Sequence, residues 1–331
     1  MKIALFSSDK SAFSKVYSEN VLEKLRKQGE TSERIDKSNI NENKEFLSRC
    51  EVAFATWGMV KFTEEEIKEY MPNLKALFYS AGSVQYFAEP FLNCGIRVFS
   101  AFAANGVPVT EYTVSQIILA LKGYFQGAKT YKLFLHYSFT HTQNCVGAYG
   151  AKVGLIGLGE IGSSVAEKLK EYDVEVMAYD PFVSKERAKE LNVTLCSLKT
   201  IFKDCDVISN HLANKKELKN IFSAKLFRLM KKHSTFINTG RGDQVDEFAL
   251  ARSLLAHPSR TAVVDVLKNE AFPWSSPLFW CPNAIITPHI AGSLGNETER
   301  MADYMIEQFE NYKSGKPVKY EVTKEMLERM A

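Results

Sequence analysis

The chain has 331 residues, 45% of them hydrophobic and 24% charged, with a formal net charge of +3. This length makes two domains the natural expectation, and the composition is ordinary for a soluble globular protein. The small net charge, the lack of a basic block or aromatic-basic interleaving, and the lack of a long apolar stretch exclude a nucleic-acid surface and a membrane span.

Six cysteines (Cys50, Cys94, Cys145, Cys196, Cys205, Cys281) show no C-x-x-C or Cys/His ligand spacing. That argues for no metal site, no disulfide framework and a cytoplasmic chain with reduced thiols. Lys2 to Ser7 reads as a first strand, because its apolar run is too short for a signal peptide. Phe13 to Gln28 has apolar residues at helical spacing, and Gly29 is placed to end that helix. Glu30 to Lys44 is polar and stays unassigned. Further strands are expected at Val52 to Thr56, Leu74 to Tyr79 and Ile96 to Phe99, with helices at Glu64 to Tyr70 and near Val84 to Leu92. Strands alternating with helices predict a parallel α/β sheet. No glycine-rich phosphate loop occurs here, so this region reads as a separate domain that does not hold a cofactor.

The loop at Ala81, Gly82 and Ser83 follows a strand, where exposed N–H groups can hold a carboxylate. Taken alone, it reads as a plain strand-to-helix turn. Asn105 to Glu111 leads into a helix from Tyr112 to Tyr124, with Pro108 suited to a first turn and Glu111 to its positive end. Its apolar residues lie all round, which predicts burial in a core or an interface. The aromatic stretch from Phe125 to Ala148, including Tyr131, Phe134, Tyr137 and Phe139, reads as an arm around a partner subunit. His136 and His141 lack a third ligand at metal spacing and read as packing or surface residues.

The stretch from Ala151 to Pro181 has one consistent reading. A short apolar strand runs into Gly157, Gly159 and Gly162 in the pattern G-x-G-x-x-G, then a helix, then a strand ending at Asp180. Gly157 allows the tight turn, Gly159 the approach of a pyrophosphate, and Gly162 close packing of helix on strand. The helix start, with Glu160 and Ile161, offers N–H groups to phosphates. Asp180, followed by Pro181, suits ribose hydroxyls and repels a 2′-phosphate, so NAD is expected over NADP.

Beyond it, a strand from Asp206 to Asn210 is followed by His211. Ser234 to Asn238 opens into Thr239, Gly240, Arg241 and Gly242. Thr261 to Val266 holds Asp265 inside its apolar run, with Glu270 in the next loop. The last strand delivers His289 after a proline, then Ala291 and Gly292. Guanidinium clamps a carboxylate with two parallel hydrogen bonds. Histidine is the natural proton donor at neutral pH, and a carboxylate on its far nitrogen fixes its tautomer. Arg241, Glu270 and His289 therefore read together as clamp, orienter and acid/base. A histidine after a proline, alone, is more often structural.

With N-x-x-x-V-x-E at Asn105, VGLIGLGEIG, INTGRGDQVDEFAL, D-V-x-x-x-E from Asp265 to Glu270 and PNAIITPHIAG, the chain resembles the D-isomer-specific 2-hydroxyacid dehydrogenases. The resemblance implies α/β architecture with two Rossmann-like parallel-sheet domains and the active site in the cleft between them. Residues 1–102 plus 294–331 would be the flavodoxin-like substrate-binding domain, and 103–293 the NAD-binding domain. His289 would protonate the carbonyl oxygen of a 2-keto acid, Glu270 would keep His289 protonated, and Arg241 would bind carboxylate and carbonyl. Ala81, Gly82 and Ser83 would hold the carboxylate from the other domain. Asp265, His211, Thr239, Gly240, Ala291 and Gly292 would line the NAD site. A homodimer through the cofactor domain is implied. The charged end, KEMLERMA, leads to the expectation of no further regulatory domain.

The chain departs from the family pattern at Ala213, where proline is usual, at Lys215, where threonine is usual, and at Ala271, where proline follows the glutamate. Trp57, Tyr79 and Phe102, with Trp274 or Trp280, are candidates to shape the substrate pocket. Lys61 and Arg97 are candidates to bring a cation to it. The alternative function is an NAD-sensing, corepressor-like protein on the same fold.

Overall fold

The computed structural model describes residues 1–131 and 135–327. Phe134 of the aromatic stretch and the last four residues of KEMLERMA lie outside them. Thirteen strands occur among the described residues. They are β1 (Lys2–Phe6), β2 (Glu30–Ile35), β3 (Cys50–Ala55), β4 (Ala76–Tyr79), β5 (Arg97–Ser100), β6 (Ala151–Ile156), β7 (Val174–Tyr179), β8 (Thr194–Leu195), β9 (Val207–Asn210), β10 (Thr235–Asn238), β11 (Thr261–Val264), β12 (Ala284–Ile286) and β13 (Glu321–Val322). The chain divides into two compact units, Met1–Gly106 with Ser293–Ala331, and Val107–Gly292.

In the first unit the strand order is β13-β5-β4-β3-β1-β2, parallel except for β13. The central strands are continuous apolar runs because both faces of the sheet are covered. In-register Phe54, Phe78 and Phe99 stack at 5.1 and 4.7 Å. Phe309 of the helix Glu297–Lys313 meets Phe54 and Phe78 edge-on, so the returning chain closes this core.

One expectation fails in this unit, and one unassigned stretch takes on structure. The single helix from Phe13 to Gln28 is two helices, Lys10–Val16 and Glu19–Arg26. Between them Tyr17 is buried, its hydroxyl donating to the Ala55 carbonyl at 2.8 Å, and Ser18 is extended. The apolar spacing continues almost in phase across the break, so periodicity alone cannot see it. The unassigned polar stretch contains β2, an edge strand with β1 as its neighbour. Ser32 takes a core position there by accepting the Leu5 N–H at 3.0 Å.

The helix expected from Tyr112 starts ten residues earlier, at Phe102, and runs to Leu121. Pro108 is inside it, not in its first turn, and Glu111 is exposed mid-helix, away from the positive end. The missing proline N–H removes one hydrogen bond, yet the buried Val114, Ile117 and Leu121 hold the helix to its core. The boundary between the units, at Gly106 and Val107, falls within this helix.

In the second unit seven parallel strands follow the order β12-β11-β10-β9-β6-β7-β8. Side chains alternate between two cores. Ile156, Ile208, Phe236 and Val264 pack into one, and Leu155, Val207, Ile237 and Val263 into the other. The order reverses between β6 and β9, and at such a switch point loops diverge and leave a crevice beyond the strand ends. Within the aromatic stretch the helices Tyr124–Thr130 and Leu135–Gln143 occur, and Tyr137 donates to Gln126 Oε1 at 2.8 Å. His141 is buried and His136 exposed. No helix among the described residues is long and apolar enough to cross a membrane.

Candidate active site

The crevice beyond β6 is built by its glycines. Gly157 has φ +91°, a conformation that glycine adopts without strain. Gly162 packs against the strand end so tightly that a Cβ would lie 2.0 Å from the Gly157 carbonyl oxygen. Gly159 is exposed, with nothing within 4 Å of its Cβ position, and it starts the helix Glu160–Leu169 without a side-chain cap. The N–H groups of Gly159, Glu160, Ile161 and Gly162 donate no hydrogen bond among the described residues. Open donors at the positive end of a helix, beside a glycine that leaves room, fit a pyrophosphate.

At the end of β7, Asp180 accepts the N–H groups of Leu158 and Phe182, both at 2.8 Å. A carboxylate has about four acceptor positions, so capacity for ribose hydroxyls remains. Pro181 and Phe182 are exposed, and Lys215 Nζ lies 5.8 Å from the centre of the Phe182 ring. The departure at Lys215 thus lies against the residue two positions after Asp180. His211 accompanies these groups, its ring nitrogen Nε2 3.0 Å from Ser209 Oγ. Burial pushes its pKa down to about 4, so the ring is neutral at physiological pH.

Three amide side chains absent from the sequence reading tie the neighbouring loops together. Asn210 and Asn238 end β9 and β10 in register, and Gln244 lies beyond β10. Asn210 Nδ2 donates to Asn238 Oδ1 at 2.9 Å and to Gln244 Oε1 at 2.7 Å. Two asparagines closing neighbouring apolar strands were the available signal.

Arg241 and Glu270 are brought together by a second glycine contact. A Cβ on Gly242 would lie 2.1 Å from the Leu267 carbonyl carbon, so the turn Gly242–Gln244 lies directly on the segment leading to Glu270. Buried Glu247 fixes that segment by accepting the Lys268 N–H at 2.8 Å. Arg241 donates to the Gly240 carbonyl at 2.8 Å. Desolvation lowers the guanidinium pKa, and the charge of Glu270 opposes that shift. Thr239 faces Thr113 of the helix Phe102–Leu121, hydroxyl to hydroxyl at 3.4 Å.

Asp265 lies just beyond β11, not within it as expected, and is 2% exposed. Its carboxylate accepts the Thr287 hydroxyl at 2.5 Å and the N–H groups of Ile290 and Ala291 at 2.9 Å. Three donors satisfy this buried carboxylate, and in doing so they shape the loop that carries His289, Ala291 and Gly292. His289 has φ +55°, uncommon for a residue with a side chain. Its N–H is held by the Asp265 and Thr287 carbonyls, both at 3.0 Å. Nδ1 lies 2.9 Å from Glu270 Oε2, and both side chains are exposed. With Nδ1 occupied by the carboxylate, Nε2 is the nitrogen presented to a reactant.

In the first unit, the carbonyls of Ala81 and Gly82 accept Ser100 Oγ at 3.0 and 2.5 Å. The N–H groups of Ala81, Gly82 and Ser83 donate no hydrogen bond among the described residues. Successive unengaged amides of this kind suit an anion. Tyr79 is fully buried, whereas Trp57 and Phe102 are partly buried. Arg97 is held by Glu321 in two bonds, at 2.8 and 2.6 Å, which commits the cation that was a candidate for the pocket. Lys61 is exposed beside the Tyr86 ring.

Known proteins resemble this chain in sequence and in fold. Residues 118–291 match the model of the D-isomer specific 2-hydroxyacid dehydrogenase, NAD binding domain. The chain is 31% identical over 236 residues to the D-3-phosphoglycerate dehydrogenase of Archaeoglobus fulgidus, covering 71% of this chain and 44% of that protein. It is 30% identical over 167 residues to the glyoxylate reductase of Korarchaeum cryptofilum, half of each chain. The chain thus spans half or less of these relatives. A D-isomer specific 2-hydroxyacid dehydrogenase from Lactobacillus delbrueckii ssp. bulgaricus, solved in NAD complexed form, shares the fold at a TM-score of 0.77 and 21% identity, over 98% of this chain and 100% of that one. The match across more than half of the sequence places this chain in the D-isomer specific 2-hydroxyacid dehydrogenase family, with that family's NAD binding domain in its second unit.

Proposed function

We propose that the protein is an NAD-dependent dehydrogenase that interconverts a 2-keto acid and a D-2-hydroxy acid. The observation that carries this reading is the Glu270–His289 pair at 2.9 Å, beside an Arg241 that feels the charge of Glu270. Bound NAD(H) would supply the hydride chemistry at substrate C2. Arg241 holds the substrate carboxylate and carbonyl oxygen in a two-pronged clamp. His289 Nε2 gives a proton to the carbonyl oxygen during reduction and takes it back during oxidation. Glu270 fixes the imidazole tautomer and stabilises its charged form. The amides of Gly159, Glu160, Ile161 and Gly162 hold the pyrophosphate, and Asp180 holds the ribose. His211, Thr239, Gly240, Ala291 and Gly292 line the remainder of the cofactor site, and Asp265 fixes their loop. For Ala81, Gly82 and Ser83 we assign carboxylate binding through their free amides.

The test is NADH oxidation with a panel of 2-keto acids that includes glyoxylate, pyruvate, hydroxypyruvate, phenylpyruvate and phosphohydroxypyruvate, with NADPH in parallel. One or more acids reduced with NADH is the expected result. Preference for NADPH would overturn the role of Asp180. Tight NADH binding with no turnover on any acid would favour the NAD-sensing, corepressor-like alternative.

Two further expectations belong to this reading. Gly162→Ala forces the helix off the strand end and should abolish NADH binding measured by titration calorimetry. Wild-type affinity in that variant would refute the close-packing role. We also infer a cytoplasmic homodimer formed through the second unit, because Tyr124, Tyr131, Phe139 and Tyr149 are all exposed there at 50% or more. Sedimentation should give twice the mass of one chain, and a monomer at micromolar concentration would contradict the dimer.

A further inference from the structure

We propose that Gln244 is a positioning residue that locks the cofactor-side loop 211–215 to the arginine loop 239–241. The inference rests on the reading that these loops flank the dinucleotide and the substrate carboxylate. Gln244 is 1% exposed. Its Nε2 donates to the Leu212 carbonyl at 3.2 Å and to the Ala213 carbonyl at 2.8 Å. Its Oε1 accepts Asn210 Nδ2, and Asn210 Oδ1 in turn accepts the Leu212 N–H at 3.1 Å. From there the network reaches the other loop. Asn238 Oδ1 accepts both Asn210 Nδ2 and the Gly240 N–H, and Asn238 Nδ2 donates to the Arg241 carbonyl at 3.2 Å.

Loop 211–215 has neither helical nor strand structure and contains no proline or glycine. The His211 N–H is anchored on the Ile156 carbonyl at 2.7 Å and the Lys215 N–H on the Ala213 carbonyl at 3.0 Å, and Gln244 adds restraint at two successive carbonyls between them. The three amide side chains are buried, and a buried amide left without partners is costly, so they act as one unit. Ala213 occupies the position where the family pattern has proline. Its N–H donates no hydrogen bond among the described residues. A proline ring there would restrain the loop covalently without removing such a bond. Gln244 thus does by hydrogen bonding what a ring does by covalent geometry.

The test uses the full chain carrying Gln244→Met, which keeps length and bulk and removes both amide groups. Hydrogen exchange of residues 211–215 is measured without cofactor, and the NADH Kd by fluorescence titration. Removing the partner of the Leu212 carbonyl, and one of two donors or acceptors at the Ala213 carbonyl and the Asn210 amide, should speed local exchange and weaken NADH binding, each by about tenfold. Adding Ala213→Pro should restore both. Wild-type exchange and Kd in Gln244→Met would overturn the proposal. So would a double variant that exchanges and binds as poorly as the single one.

If Gln244→Met does not fold, the double variant is compared with the wild type. Wild-type exchange and affinity then support the proposal, and tenfold losses overturn it. Exchange requires no cofactor. A wild-type protein that binds no NADH would defeat the functional reading, while the exchange comparison would still decide the role of Gln244.

Discussion

His289→Ala should lower kcat by about 100- to 10,000-fold, the usual cost of losing general acid/base catalysis. The geometry makes this an informative substitution. The imidazole is exposed, and its contact with Glu270 is the ion pair it makes among the described residues. The loop is held instead through the backbone N–H of His289 and the carboxylate of Asp265, neither of which alanine removes. NADH affinity and Tm should therefore stay close to wild type while turnover falls. His289 holds a left-handed, non-glycine backbone, and alanine meets the same conformation there. Near wild-type kcat in the variant would remove His289 from the mechanism.

Arg241→Lys should act mainly on KM for the keto acid. Lysine keeps the charge but replaces a planar fork by a single point, so one charge-assisted hydrogen bond to the carboxylate is lost. Such a bond is worth about 1.5–3 kcal/mol, or about 10- to 150-fold in KM. The guanidinium is desolvated and already donates to the Gly240 carbonyl, so its head is fixed before a substrate arrives. A shorter, more mobile ammonium has no equivalent. An unchanged KM would show that the carboxylate is held elsewhere.

Much of this was legible in the residues themselves. The apolar runs of β3, β4, β6 and β10 mark buried parallel strands because each is covered on both faces. The glycine pattern was specific because strand, helix and terminal acid stood around it in order. Arg241, Glu270 and His289 all follow strands, and a parallel sheet gathers such positions at one edge. What could not be read was long-range hydrogen bonding. Tyr17 breaks a helix by reaching the Ala55 carbonyl, and no local periodicity records that contact. Ser32 makes a polar strand fit a core by a bond to Leu5. Asp265 looked like a strand residue until its three partners, more than 20 positions away, were in place. Pro108 was read by its first-turn preference, whereas the packing of a long apolar helix overrides that preference. Gln244 lies in a loop motif whose glycines and arginine carry the recognisable chemistry, and its own partners are distant in sequence.

The most direct test of the account is the configuration of the product. Wild-type protein would be supplied with NADH and a prochiral keto acid that it accepts, and the 2-hydroxy acid would be resolved on a chiral column. The expected product is the D enantiomer, formed in one-to-one proportion with NADH consumed. The L enantiomer, or bound NADH that no keto acid oxidises, would contradict it.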